Sequence, residues 1–69
     1  LDREWLKKIR NEKGMSQFEM ASFLQIPQST YSYYEIGMRN PKIKEAKRLA
    51  KLLEINWTKF YENQEIKEE

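Results

Sequence analysis

Histidine and cysteine, the side chains that most often serve as bases, nucleophiles or zinc ligands, are both absent from this sequence. Nor do the acids form a pair at an evident active-site spacing. The chain therefore offers no constellation for an enzyme, and no metal or other cofactor is expected. What remains is the chemistry of recognition. Between Gln28 and Ile36 lie an amide, three hydroxyl-bearing small residues and three tyrosines. Laid out as a helix at about 100° per residue, the segment divides into two faces. Gln28, Ser29, Ser32, Tyr33 and Ile36 fall on one side, Thr30, Tyr31 and Tyr34 on the other, and Glu35 at the border. The first face is small and polar apart from Tyr33 and Ile36, which suits contact with a hydrogen-bonding partner better than mere solvation. A second feature is charge: Arg39, Lys42, Lys44, Lys47, Arg48 and Lys51 stand against the one acid Glu45, a local positive field that would attract a polyanion. By charge alone, a solvated lysine-rich helix is the better explanation of that run, since a count of lysines does not identify a partner.

Sixty-nine residues make one domain, near the size at which folding buries only about 60% of the unfolded surface. With neither disulfide nor zinc available, helix packing must hold the core. The composition, 39% hydrophobic and 35% charged, is that of a soluble globular domain, and no apolar run is long enough for a bilayer. The opening Leu1-Asp2-Arg3-Glu4 has neither the basic nor the apolar region of a signal peptide, so a cytoplasmic location is expected. The net charge of +2 conceals an asymmetry: residues 62–69 carry four acids and one base, leaving twelve bases and seven acids before them. We expect a domain over residues 1–63 and an acidic, disordered tail over 64–69.

The elements that must position these groups read as five short helices, hence an all-α bundle. Asp2 is a plausible N-cap for a first helix over about Arg3 to Lys13, with Leu6 and Ile9 inward, Trp5 beside them and Gly14 to end it. Ser16 caps the second helix, Glu19 closes a capping box, and Met15 against Met20 forms a hydrophobic staple. Met20, Ala21 and Leu24 face inward, and Pro27 halts the helix near Gln25 by excluding Ile26 from helical geometry. The third helix is the two-faced segment above. A fourth runs to Leu53 with Ile43, Ala46, Leu49, Ala50 and Leu53 inward. It starts either at an Asn40-Pro41 cap pair or after an extended lead-in through Lys42. Asn56 caps a last helix with Trp57, Phe60 and Tyr61 at i, i+3 and i+4, a spacing that favours core over a stacking platform for single strands.

Helices two and three with a short turn between them form a helix-turn-helix, in which one helix can enter a DNA major groove. The ordered set Lys13-Gly14-Met15-Ser16-Gln17-Phe18-Glu19-Met20-Ala21-Ser22-Phe23-Leu24, Ser29-Thr30-Tyr31-Ser32-Tyr33-Tyr34-Glu35, Gly37, Arg39-Asn40-Pro41, Leu49-Ala50-Lys51-Leu52-Leu53 and Trp57 resembles the phage Cro-and-repressor helix-turn-helix family over residues 3 to about 61. That resemblance implies a double-stranded DNA-binding regulator, most simply a repressor. It implies that Gln17 and its helix N-terminus sit on a phosphate and that Gln28, Ser29 and Tyr33, with Ser32 on the same face, meet base edges. A glutamine can pair bidentately with adenine and a serine can donate or accept, so the physics agrees. It further implies a partly buried ion pair of Arg10 with Glu35, the competing role for Arg10 being a phosphate ligand. Arg39, Lys42 and Lys44 would lie along the sugar-phosphate strand. Gln25 stands where the family usually has glycine, which requires a left-handed residue at a cost of about 1 kcal/mol or else a different turn.

One recognition helix spans only a few base pairs, and the family's usual answer is a homodimer on a pseudo-palindromic operator. Ile55, Trp57, Phe60 and Tyr61 are the expected contact. No membrane or small-molecule partner is evident. A different reading keeps the scaffold but turns Tyr33, Ile36 and Met38 toward another protein.

Overall fold

The structure is a computed structural model that describes residues 2–62. Its described residues contain α1 (Glu4–Glu12), α2 (Gln17–Leu24), α3 (Gln28–Glu35), α4 (Ile43–Leu53) and a 3-10 helix (Trp57–Tyr61), with no strand. The fold is all-α, and the fifth helix is 3-10 where an α-helix was expected, its five residues being too few for a sustained run of α-helical hydrogen bonds. Two compact units are present, residues 2–39 and 40–62. The acidic tail expected over 64–69 lies outside the described residues.

In the first unit α2 and α1 each pack on α3. Ser16 accepts from the Glu19 N–H while the Glu19 carboxylate accepts from the Ser16 N–H, so the capping box is complete. One boundary differs from the sequence reading. Arg3 rather than Asp2 is the N-cap of α1, without a side-chain cap, and Asp2 instead accepts a hydrogen bond from Lys7 at 3.0 Å. The core of this unit is Leu6, Met20, Ala21, Leu24, Tyr31 and Tyr34, joined by two ionic residues, Arg3 and Glu35.

In the second unit α4 packs on the 3-10 helix. Lys42 is extended and serves as the N-cap, so the lead-in through Lys42 is the start, and Asn40-Pro41 is not a cap pair. Ala46, Leu49, Ala50, Leu53 and Phe60 are buried. Ile43, expected inward, is 54% exposed. It is the first residue of α4, and helical side chains lean toward the N-terminus, which carries this one past the end of the apolar stripe.

All four α-helices end in one way. A left-handed residue at Gly14, Gln25, Gly37 or Glu54 lets the next N–H reach back five residues: Met15 to Arg10, Ile26 to Ala21, Met38 to Tyr33, Ile55 to Ala50, each at 3.0 to 3.1 Å. An apolar residue follows the left-handed one every time, as is common in the Schellman motif. Gln25, at φ 58 and ψ 45, thus takes the left-handed geometry rather than a different turn.

Candidate nucleic-acid interface

The inner side of α3 is organised around one carboxylate. Glu35 is fully buried and accepts from Arg10 Nε at 2.6 Å and Nη2 at 3.5 Å, from the Tyr31 hydroxyl at 2.5 Å and from Gln17 Nε2 at 3.0 Å. Burial alone would push its carboxyl up, but the hydrogen bonds from Arg10, Tyr31 and Gln17 and the charge of Arg10 hold it below the ordinary range. Burial, and after it the same carboxylate, pushes the Tyr31 phenol far up. Arg10 spends a further N–H on the Met15 carbonyl at 3.1 Å. Its guanidinium is therefore turned into the fold, not toward a phosphate. No buried side-chain nitrogen or oxygen among the described residues lacks a partner, so the cost of burying these charges is offset throughout.

Gln17 links this buried group to the outer side. Its amide nitrogen donates to Glu35, and its carbonyl oxygen accepts from the Ser32 hydroxyl at 2.8 Å. Ser32, on the same face, is half-buried and engaged with Gln17, a contact the sequence did not announce. Gln28 and Ser29 are exposed at the first turn of α3, and Tyr33 is 43% exposed one turn further on. These three form the solvent-facing polar edge of the helix. Ile36 and Met38 extend it with apolar surface.

Arg39 is placed by two contacts that the sequence did not announce. Its guanidinium lies 5.7 Å from the Tyr33 ring centroid, a cation-π arrangement. Arg3 supplies the second. This buried residue donates Nη1 to the Tyr34 carbonyl at 2.6 Å and to the Arg39 carbonyl at 3.0 Å, while its backbone N–H donates to the Glu35 carbonyl at 2.7 Å. Arg3 thus meets the C-terminus of α3 with its guanidinium at the Tyr34 carbonyl and its backbone N–H at the Glu35 carbonyl, and the cation is of the favourable sign for a helix dipole. An arginine at the start of α1 reads in the sequence as one more surface base, and no local signal distinguishes it.

The second unit carries the remaining expected residues. Lys42 and Lys44 are exposed. Arg48 pairs with Glu45 at 2.8 Å, which draws the Glu45 carboxyl down, and Lys47 lies over the Trp57 ring at 5.1 Å. Of the residues expected at a dimer contact, Ile55, Trp57 and Tyr61 are half-buried, whereas Phe60 is 2% exposed and belongs to the core. Phe60 is corrected accordingly: a side chain already covered in the monomer has no surface to offer a partner. Trp57 meets Tyr61 edge-on, and the Tyr61 hydroxyl donates to the Pro41 carbonyl.

Two helices joined by a left-handed turn, the second with an anchored inner side and a polar outer one, define a helix-turn-helix protein. A family model described as helix-turn-helix matches residues 6–60. The chain belongs to that family, in its Cro-and-repressor type. It is 41% identical over 61 residues to YqaF of Bacillus subtilis strain 168, named an uncharacterized HTH-type transcriptional regulator, covering 88% of this chain and 80% of that one. It is 43% identical over 53 residues to YonR, an SPbeta prophage-derived regulator of the same description, and 36% identical over 53 residues to YqaE, both of the same organism. Those two alignments each cover 77% of this chain but only 49% and 46% of the relatives. No solved structure matches. No helix among the described residues is long and apolar enough to cross a membrane.

Proposed function

We propose that this chain is a sequence-specific double-stranded DNA-binding transcriptional regulator that inserts α3 into the major groove and acts in the cytoplasm as a repressor. The observation that carries the reading is the division of α3. Its inner side is fixed by four hydrogen bonds to the Glu35 carboxylate, and its outer side leaves Gln28, Ser29 and Tyr33 turned to solvent. A helix held that firmly can present polar groups at a defined register, which base readout demands. Gln28 would pair with adenine, Ser29 with a neighbouring base and Tyr33 with a base or thymine methyl. Gln17 retains one amide N–H beyond its bond to Glu35, and this, with the N–H groups of the first turn of α2, suits a phosphate oxygen. Arg39, Lys42 and Lys44 would hold further phosphates without reading sequence.

The names of the relatives agree with a regulatory role. A homodimer on a pseudo-palindromic operator is the simplest arrangement, with Ile55, Trp57 and Tyr61 as the contact. Selection of bound duplexes from a random pool tests the whole reading. It should enrich inverted repeats whose half-site centres lie about 10 base pairs apart, or a multiple of that. A pool that stays random would overturn DNA recognition, and single unrepeated half-sites would overturn the dimer.

The exposure of Met38 at 73% and Ile36 at 38% beside Tyr33 favours a second reading, in which this surface meets another protein. Salt separates the two. Phosphate binding weakens steeply as salt rises, while an apolar contact does not.

A further inference from the structure

The hydrogen-bond chain from Glu35 to Ser32 has a direction. A carboxylate accepts only, so the Gln17 amide must turn its NH2 toward Glu35 Oε1, 3.0 Å away. Its carbonyl oxygen is then the atom that faces Ser32, and a carbonyl also accepts only. The Ser32 hydroxyl must therefore give its single proton to Gln17, at 2.8 Å. What Ser32 has left is lone pairs. A free serine serves either sense of hydrogen bond, but this one has lost the choice.

We propose that Ser32 is a specificity-determining residue that meets DNA as a hydrogen-bond acceptor only, a polarity imposed on it by the buried Glu35 through the Gln17 amide. The proposal rests on the reading of α3 as the groove helix. In the major groove the donors are the exocyclic amino groups of adenine and cytosine, whereas guanine and thymine present acceptors at N7, O6 and O4. Ser32 would thus favour adenine or cytosine at its base position and set lone pair against lone pair for the other two. For the same reason it is excluded as a phosphate ligand, since a phosphate oxygen needs a donor. Its half-buried position limits it to one base, unlike the long and exposed Gln28. Glu35 touches no DNA in this account and acts by positioning.

The test measures affinity of the full chain for its selected duplex and for a set in which each base pair is changed singly. The set includes purine in place of adenine and 2-pyrimidinone in place of cytosine, each lacking the amino group. Removing the donor at one position should weaken wild type about twofold to tenfold. The same removal should leave Ser32→Ala unaffected. Gln17→Met deletes the acceptor and frees the hydroxyl to rotate, so guanine or thymine should become tolerated at that position while the preference at the Gln28 position persists. Circular dichroism confirms that both variants are folded. If wild type selects duplexes but no position shows this dependence on Ser32, or if Gln17→Met keeps the wild-type preference there, the polarity is overturned while DNA reading stands. If wild type binds all duplexes alike, the reading of α3 itself falls.

Discussion

The two compact units are stabilised by different physics. In the first, the structural centre is a fully buried carboxylate that gathers Arg10, Gln17 and Tyr31, and a second buried ion, Arg3, ties the end of α3. In the second, α4 buries a purely apolar stripe, and its charges stay outside or pair with one another, as Glu45 does with Arg48. An apolar stripe holds a helix by area and tolerates small shifts. A polar network with directional bonds fixes rotation and register as well. The unit that presents Gln28, Ser29 and Tyr33 is the one that uses directional bonds.

The comparison predicts that damage to the two units will differ in size and in whether it can be repaired. Glu35→Ala strands Arg10 and should cost about 3 to 5 kcal/mol in denaturant unfolding. Replacing the buried polar groups together with apolar residues, Arg10→Met and Tyr31→Phe with Glu35→Leu, should recover much of that loss, because neither an unpaired charge nor a stranded hydroxyl then remains. If the triple variant is no more stable than Glu35→Ala, stranded polar groups are not the origin of the loss. Leu49→Ala in the apolar stripe should cost about 2 to 5 kcal/mol through lost burial and a cavity. Replacing polar groups elsewhere should not restore it.

Stability should also respond to pH through the first unit. Because the Glu35 carboxyl is held below its ordinary range, its contribution is complete above the unfolded carboxyl value of about 4.3 and is lost as pH falls through the lower folded value. Tyr31 is pushed up, so its contribution is complete below about pH 10 and is lost as pH rises further. Melting temperatures across pH 2 to 11 should form a plateau falling at both ends, and Glu35→Gln should flatten the acid side. An acid limb identical in Glu35→Gln would assign it to other carboxylates.

The smallest effects concern the helix ends. Gln25 and Glu54 take left-handed conformations at φ 58 that Gly14 and Gly37 adopt without a Cβ penalty. Gln25→Gly and Glu54→Gly should each stabilise by about 0.5 to 1 kcal/mol, relief of strain exceeding the added entropy of the unfolded chain. A lowered melting temperature in both would show that the left-handed turn is not strained.

Much of this was legible in the sequence where the signal is local. Ser16 and Glu19 marked the start of α2, Pro27 its end, and the helical spacing of Gln28 to Glu35 separated Tyr31 and Tyr34 from Gln28, Ser29 and Tyr33. The pairing of Arg10 with Glu35 came from the family resemblance, since twenty-five positions separate them and spacing alone does not join them. What escaped depends on how one element meets another. Ser32 lies on the outer arc of α3, yet Gln17 of α2 reaches it. Arg3 clamps carbonyls more than thirty residues away. Ile43, expected inward, is exposed: a helical wheel gives direction but not the point at which the covering element begins, and Phe60 follows the core spacing of its helix rather than the dimer contact expected from the family.

The central claim is that α3 reads bases while Arg39 only holds the strand, and two variants titrated on two duplexes at several salt concentrations test it most directly. Gln28→Ala should lose about 1 to 3 kcal/mol of affinity for the selected duplex and almost none for random duplex. Arg39→Ala should weaken both alike and flatten the slope of log affinity against log salt by about one unit. Equal losses on both duplexes for Gln28→Ala would contradict the account and remove α3 from the role of recognition helix.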